Sequence, residues 1–161
     1  MKAPLIERAA LRKGQSCFAN SLTTNITEMC EKKNILLIDD DDDELEIFTI
    51  ALDELNIAYN CSRAKSAEQA VKMLLNAIPD FIFLDVNMPG KNGFQCLEQL
   101  RSMETVRIIP VIIYSTHMDE KAGKSFLSMG ATACIKKPWK ISSLTGTLKV
   151  IFEKYQPLSH A

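Results

Sequence analysis

No stretch of this 161-residue chain approaches the roughly 18 consecutive apolar residues that span a bilayer, so no membrane helix is expected. A basic excess is missing too. Nineteen Lys and Arg stand against 20 Asp and Glu, and a general nucleic-acid binder would show a basic surplus or stripe. Zinc chemistry lacks its ligands: Cys17, Cys30, Cys61, Cys96 and Cys134 form no CxxC pair, and only two histidines are present. Odd in number and scattered, these cysteines read as reduced, mostly buried thiols of a cytoplasmic protein. A secretory signal is also lacking, because no continuous apolar segment follows Lys2, Arg8, Arg12 and Lys13. Asn25-Ile26-Thr27 therefore reads as a chance match to a glycosylation sequon.

What is present is material for one core. The chain is 47% hydrophobic and 24% charged, within the range of a single domain. Residues 1–32 differ from the rest: a basic leader and then a mostly small, polar stretch. They read as a disordered extension or an upstream part of the reading frame, since Met29 would make an ordinary start. The domain is expected over 33–156, with 157–161 as a tail that adds no output domain.

From Asn34 a regular alternation sets in. Asn34 to Ile38 is a short apolar run, and Asp41 to Asn56 places Leu45, Phe48, Leu52 and Leu55 on one helical face, with acidic residues at its start. Ile57 to Cys61 reads as a weak edge strand. Ser66 is a helix cap with Gln69 three residues on, and Pro79 is expected to stop that helix. Phe81 to Leu84 is a buried strand, and Asn92 caps a helix through Phe94, Leu97, Leu100 and Met103. Ile108 to Tyr114 is the next strand, Met118 to Met129 a helix closed by Gly130, and Ala131 to Ile135 a short strand. Leu144, Leu148, Ile151, Phe152 and Tyr155 line a last helix. Five strand-helix pairs with near-continuous apolar strands predict an α/β fold, a doubly wound parallel five-stranded sheet with helices on both faces.

In such a sheet the loops after the strands gather at one edge. Here they begin with Asp39 and Asp40, with Asp85, with Ser115 and Thr116, and with Lys137. A lone Asp closing a strand often only caps a turn, but four loops starting with reactive groups converge. Carboxylates facing one crevice repel, so they raise one another's pKa or hold a hard cation. Mg²⁺ takes oxygen ligands, often one or two carboxylates plus a phosphate. Beside such an ion Asp85 can attack phosphorus and form an acyl phosphate, with Lys137 and Ser115 placed to bind the phosphoryl oxygens.

Asp39-Asp40 after Ile35-Leu36-Leu37-Ile38, Asp85 before Val86-Asn87-Met88-Pro89-Gly90, Ser115 after Pro110 to Tyr114, and Lys137-Pro138 after Gly130-Ala131 resemble the receiver domain of two-component response regulators. The likeness runs from about Lys33 to Tyr155. It implies a flavodoxin-like (βα)5 fold of the CheY type. It further implies Asp85 as phosphoacceptor, Asp40 as a direct Mg²⁺ ligand, Asp39 as a ligand through water, and the Asn87 carbonyl as another. Lys137 would pair with the phosphoryl group, and Ser115, followed by Thr116, would hydrogen-bond it. The donor would be a phosphohistidine on a sensor histidine kinase or a histidine phosphotransfer protein. The chain would then be a phosphorelay component, not an enzyme, and would signal to an unidentified protein by docking or by onward transfer.

One position departs from the pattern. Three residues before the lysine, where many receivers carry an aromatic switch, stands Cys134. His117 is either a tuning residue beside the site or an ordinary loop histidine. Trp139 is either an anchor for a partner or packing over the last helix. Glu44, Ile47 and Phe48 of the first helix are either exposed, kinase-reading residues or packing residues, which the sequence does not separate, and Asp41, Asp42 and Asp43 read as a solvated helix start. Met73, Met88, Met103 and Met129 read as packing residues.

Two other readings remain. A phosphatase of the haloacid dehalogenase type would use Asp39 as nucleophile and Asp41 as acid/base, but after Lys137 only Glu153 is left as an acidic metal ligand. A pseudo-receiver would keep the fold and never be phosphorylated.

Overall fold

The three central strands alternate between two buried faces, and this places one sheet between two helical layers. The structure is a computed structural model that describes residues 32–88 and 92–155. The predicted extension up to residue 31, the Pro89-Gly90 turn and the tail lie outside the described residues. The elements run β1 (Lys33–Ile38), α1 (Asp42–Glu54), β2 (Tyr59–Ala64), α2 (Ala67–Leu74), β3 (Phe81–Leu84), α3 (Gly93–Ser102), β4 (Val111–Ser115), α4 (Glu120–Ser128), β5 (Ala133–Lys136) and α5 (Ile141–Lys154). All strand pairs are parallel, in the order β2-β1-β3-β4-β5. The flavodoxin-like architecture expected from the sequence is the one observed.

Leu36, Ile38, Ile82, Leu84, Val111 and Ile113 face one core, closed by Ala70 and Leu74 of α2, Leu97 and Leu100 of α3 and Phe126 of α4. Ile35, Leu37, Phe81, Phe83, Ile112 and Tyr114 face the other, closed by Phe48 and Leu52 of α1 and Leu148 and Phe152 of α5. Full burial of each large side chain contributes about 1.5–3 kcal/mol before chain entropy is subtracted. The α1/α5 side is aromatic, with Phe48 edge-on to Phe83 at 4.8 Å and to Tyr114 at 5.7 Å.

Several boundaries differ from expectation. Helix α2 ends at Leu74, five residues before Pro79, and Asn76 folds back to bond the Lys72 carbonyl while Ile78 stays exposed. Strand β2 begins two residues later than predicted, at Tyr59, and runs on to Ala64. Strand β4 begins at Val111 because the preceding segment is held as a turn: the Arg101 guanidinium bonds the carbonyls of Val106, Arg107 and Ile109, leaving Ile108 exposed.

Two glycines are required. Gly130 has φ 97°, which a side chain rarely adopts, and it ends α4 as expected. A Cβ at Gly93 would lie only 2.7 Å from the Val86 Cα, so the start of α3 packs directly on the loop that follows β3. The register then aligns the strand ends. Ile38 pairs with Leu84 and Leu84 with Ile113, so the next residues of β1 and β3, Asp39 and Asp85, emerge side by side.

Candidate phosphoryl-accepting site

Backbone bonds fix where the reactive side chains leave the sheet. The Asp39 N–H donates to the Ala64 carbonyl, the Asp85 N–H to the Ile38 carbonyl and the Lys137 N–H to the Ser115 carbonyl, at 2.8–2.9 Å. Asp39, Asp85 and Ser115 are buried, and Asp40 is exposed. One carboxylate oxygen from each of Asp39, Asp40 and Asp85 lies within 4.8 Å of the others.

The lysine joins this group from across the sheet. Its Nζ donates to Asp39 Oδ2 at 2.5 Å and to Asp85 Oδ2 at 3.4 Å. Burial alone would lower the Lys137 pKa, but Asp39, Asp85 and Glu44 outweigh it and hold the ammonium above its ordinary value. Burial raises the Asp39 carboxyl above the usual carboxylate range, against the hydrogen bonds from Lys137 and from the Asp41 N–H. Lys137 is thus a firmly held cation among carboxylates that repel one another.

Asn87 links the two halves of the site. Its N–H donates to Asp85 Oδ1 at 3.1 Å, and its side-chain amide donates to Ser115 Oγ at 2.8 Å. The Ser115 hydroxyl in turn donates to the His117 carbonyl. Thr116, predicted beside Ser115, is exposed, and its hydroxyl meets His117 Nδ1 at 3.1 Å. The structure therefore brings Asp39, Asp40, Asp85, Asn87, Ser115 and Lys137 together, while the Thr116 hydroxyl is engaged with His117.

The donor set suits a hard cation. Three carboxylates, one of them open to water through Asp40, match the oxygen-rich and partly hydrated coordination that Mg²⁺ prefers. Asp41 serves α1 instead: it is the N-cap and accepts from the Asp43 N–H. Asp42 pairs with Arg63 and with Lys65 Nζ at 2.7 Å, so this part of the acidic run is tied down despite its exposure.

Sequence reasoning missed Glu44. The sequence leaves Glu44, Ile47 and Phe48 open between kinase reading and packing; Glu44 and Phe48 are buried, and only Ile47 is exposed. Glu44 Oε1 accepts from the Tyr114 hydroxyl at 2.5 Å, and Oε2 lies 3.3 Å from Lys137 Nζ. The signal was its spacing, because Glu44 precedes Phe48 by four residues and so shares the buried stripe of α1. Trp139 is 96% exposed and does not pack over α5. Cys134 is half-buried with its sulfur 3.7 Å from the Gly123 carbonyl of α4, and burial raises its thiol pKa.

A doubly wound sheet with an acidic cluster and a lysine at its carboxyl edge is the architecture of a two-component receiver domain. Residues 35–149 match the response regulator receiver domain model, and the chain belongs to that family. Among its relatives is the phosphate regulon transcriptional regulatory protein PhoB of Pseudomonas aeruginosa, 30% identical over 125 residues, which are 78% of this chain and 54% of that protein. The probable C4-dicarboxylate response regulator DctR of Bacillus subtilis is 30% identical over 122 residues, 76% of this chain and 51% of its own. This chain thus spans about half the length of the curated relatives it matches. The phosphorylated cyanobacterial phytochrome response regulator RcpA superposes with a TM-score of 0.69 at 26% identity, covering 81% of this chain and 97% of that one. Membership of this family removes the haloacid dehalogenase reading. Among the described residues no helix is long and apolar enough to cross a membrane.

Proposed function

We propose that Asp85 accepts a phosphoryl group from a phosphohistidine, carried by a sensor histidine kinase or a histidine phosphotransfer protein, with Mg²⁺ bound. The observation that supports this most is Lys137 Nζ, set between Asp39 and Asp85 at the mouth of a three-carboxylate cluster. An Asp85 oxygen forms the new bond to phosphorus as the donor's phosphorus–nitrogen bond breaks, and the electron pair stays with the imidazole. Asp39, Asp40, Asp85 and the Asn87 carbonyl would hold the Mg²⁺, which supplies the positive charge that lets two anions meet. Lys137 and Ser115 bind phosphoryl oxygens that develop charge, a matter of positioning more than covalent chemistry. Thr116 reaches this role only by turning its side chain from His117.

In this reading the chain is a signalling acceptor in the cytoplasm and not an enzyme acting on a free substrate. Its output is a protein partner, by docking or onward transfer, with neither nucleic acid nor membrane as a direct ligand. The test is intact mass after incubation with Mg²⁺ and acetyl phosphate. A Mg²⁺-dependent gain of about 80 Da, stable in acid and labile in alkali, is the expected result. No gain from acetyl phosphate or from a panel of histidine kinases would leave a binding module that keeps the fold without the chemistry.

A further inference from the structure

Lys137 also touches a carboxylate that lies outside the cation-sized cluster. Glu44 lies outside the group formed by Asp39, Asp40 and Asp85, and its neighbours on the buried stripe of α1, Phe48, Ala51 and Leu52, are all fully covered. A carboxylate at such a place is costly unless it is partnered. Glu44 has two partners of different kinds, the neutral Tyr114 hydroxyl at 2.5 Å and the charged Lys137 at 3.3 Å. Lys137 also stands 5.0 Å from the centre of the Tyr114 ring, so lysine, glutamate and tyrosine form one contact. Of the three carboxylates on Lys137, Asp39 is close at 2.5 Å, while Glu44 and Asp85 are longer and nearly equal at 3.3 and 3.4 Å.

We propose that Glu44 is a positioning residue for phosphoryl acceptance: it shares Lys137 with Asp85 before transfer and yields it to the arriving phosphoryl group, while the Tyr114 hydroxyl keeps Glu44 partnered. This rests on the reading of Asp85 as the acceptor. Transfer adds the charge of the phosphoryl oxygens to the Asp85 side of the lysine, and Lys137 follows that charge. Its departure strands no buried anion, because Glu44 keeps its bond from Tyr114. Glu44 thereby competes with the phosphoryl group for Lys137, and Tyr114 limits the competition.

The two partners predict effects of opposite sign. Glu44→Gln removes the competitor and one negative charge but keeps an acceptor for Tyr114, so labelling of Asp85 by acetyl phosphate at saturating Mg²⁺ should be faster by about threefold to tenfold. Tyr114→Phe leaves Lys137 as the sole strong partner of Glu44, so labelling should be slower by a similar factor. The double variant should follow Glu44→Gln. Glu44→Asp, with a shorter reach, should fall between wild type and Glu44→Gln. A purely structural network would slow both single variants together, and that result, or unchanged rates, overturns the proposal while leaving Asp85 as acceptor. If Glu44→Gln does not fold, a wild-type or faster rate in Tyr114→Phe overturns it equally. A wild-type protein that gains no mass from acetyl phosphate or from kinases overturns the acceptor reading and this proposal with it.

Discussion

Asp80 and Asp85 flank the same buried strand, one entering β3 and the other leaving it. Asp80 Oδ2 accepts the Asn34 N–H at 2.7 Å, and its own N–H donates to the Asn34 carbonyl at 2.7 Å, while Asn60 closes the corner through the Asn34 side chain. Its partners are neutral, and together they staple β3 to β1. Asp85 meets two other carboxylates and a lysine shared with Glu44. The difference comes from connectivity and not from residue type. In a parallel sheet every strand of this fold delivers its following loop to the same edge, so charged groups from distant parts of the sequence accumulate there. The opposite edge receives helix ends and turns, where a carboxylate is one hydrogen-bond acceptor among many.

The sharpest way to break this contrast is to neutralise each aspartate in turn. Asp85→Asn should abolish the Mg²⁺-dependent mass gain, whereas Asp80→Asn should keep it, and loss in both would mean that the two ends are not chemically distinct. Lys137→Met should come next in size. It leaves three buried carboxylates without their common cation, at a cost of about 3 kcal/mol to the metal-free protein, read as a lower urea midpoint. Addition of Mg²⁺ at about ten to thirty times its dissociation constant should raise wild-type stability by about 1.5–2 kcal/mol. Asp40→Asn should lose most of that gain and Asp80→Asn none of it.

A smaller effect belongs to the staple itself. Asp80→Ala deprives the Asn34 N–H of its acceptor and should cost about 1 kcal/mol with labelling unchanged. The gentlest test uses pH. Because Asp39, Asp85 and Glu44 hold the lysine above its ordinary value, folding favours its charged form. That contribution is complete below the unfolded-state pKa of about 10.4 and is lost as pH rises through the higher folded-state value. The metal-free wild type should therefore lose stability above about pH 10 more steeply than Lys137→Met, and equal slopes would detach the lysine from the acidic cluster.

The residues readable from sequence are those that follow an apolar run. Asp39, Asp85, Ser115 and Lys137 each come directly after or at the end of a strand, so strand placement alone set them on one edge. Glu44 was hidden for the opposite reason. It closes a run of five aspartates, and unlike Asp39, which directly follows a strand, only its spacing to Phe48 marks it as turning inward. The early end of α2 and the late start of β4 were likewise illegible, since both depend on side chains, Asn76 and Arg101, capturing backbone carbonyls that local propensity does not reveal.

Asp39 and Lys137 are in contact although 98 residues separate them. A ribosome delivers the acidic residues of the first turn early and this lysine near the completion of the fold. The pairing of β5 with β4 is therefore what carries the ammonium to the carboxylates that follow β1 and β3. Closing the sheet at that edge and neutralising the acidic cluster are one and the same event.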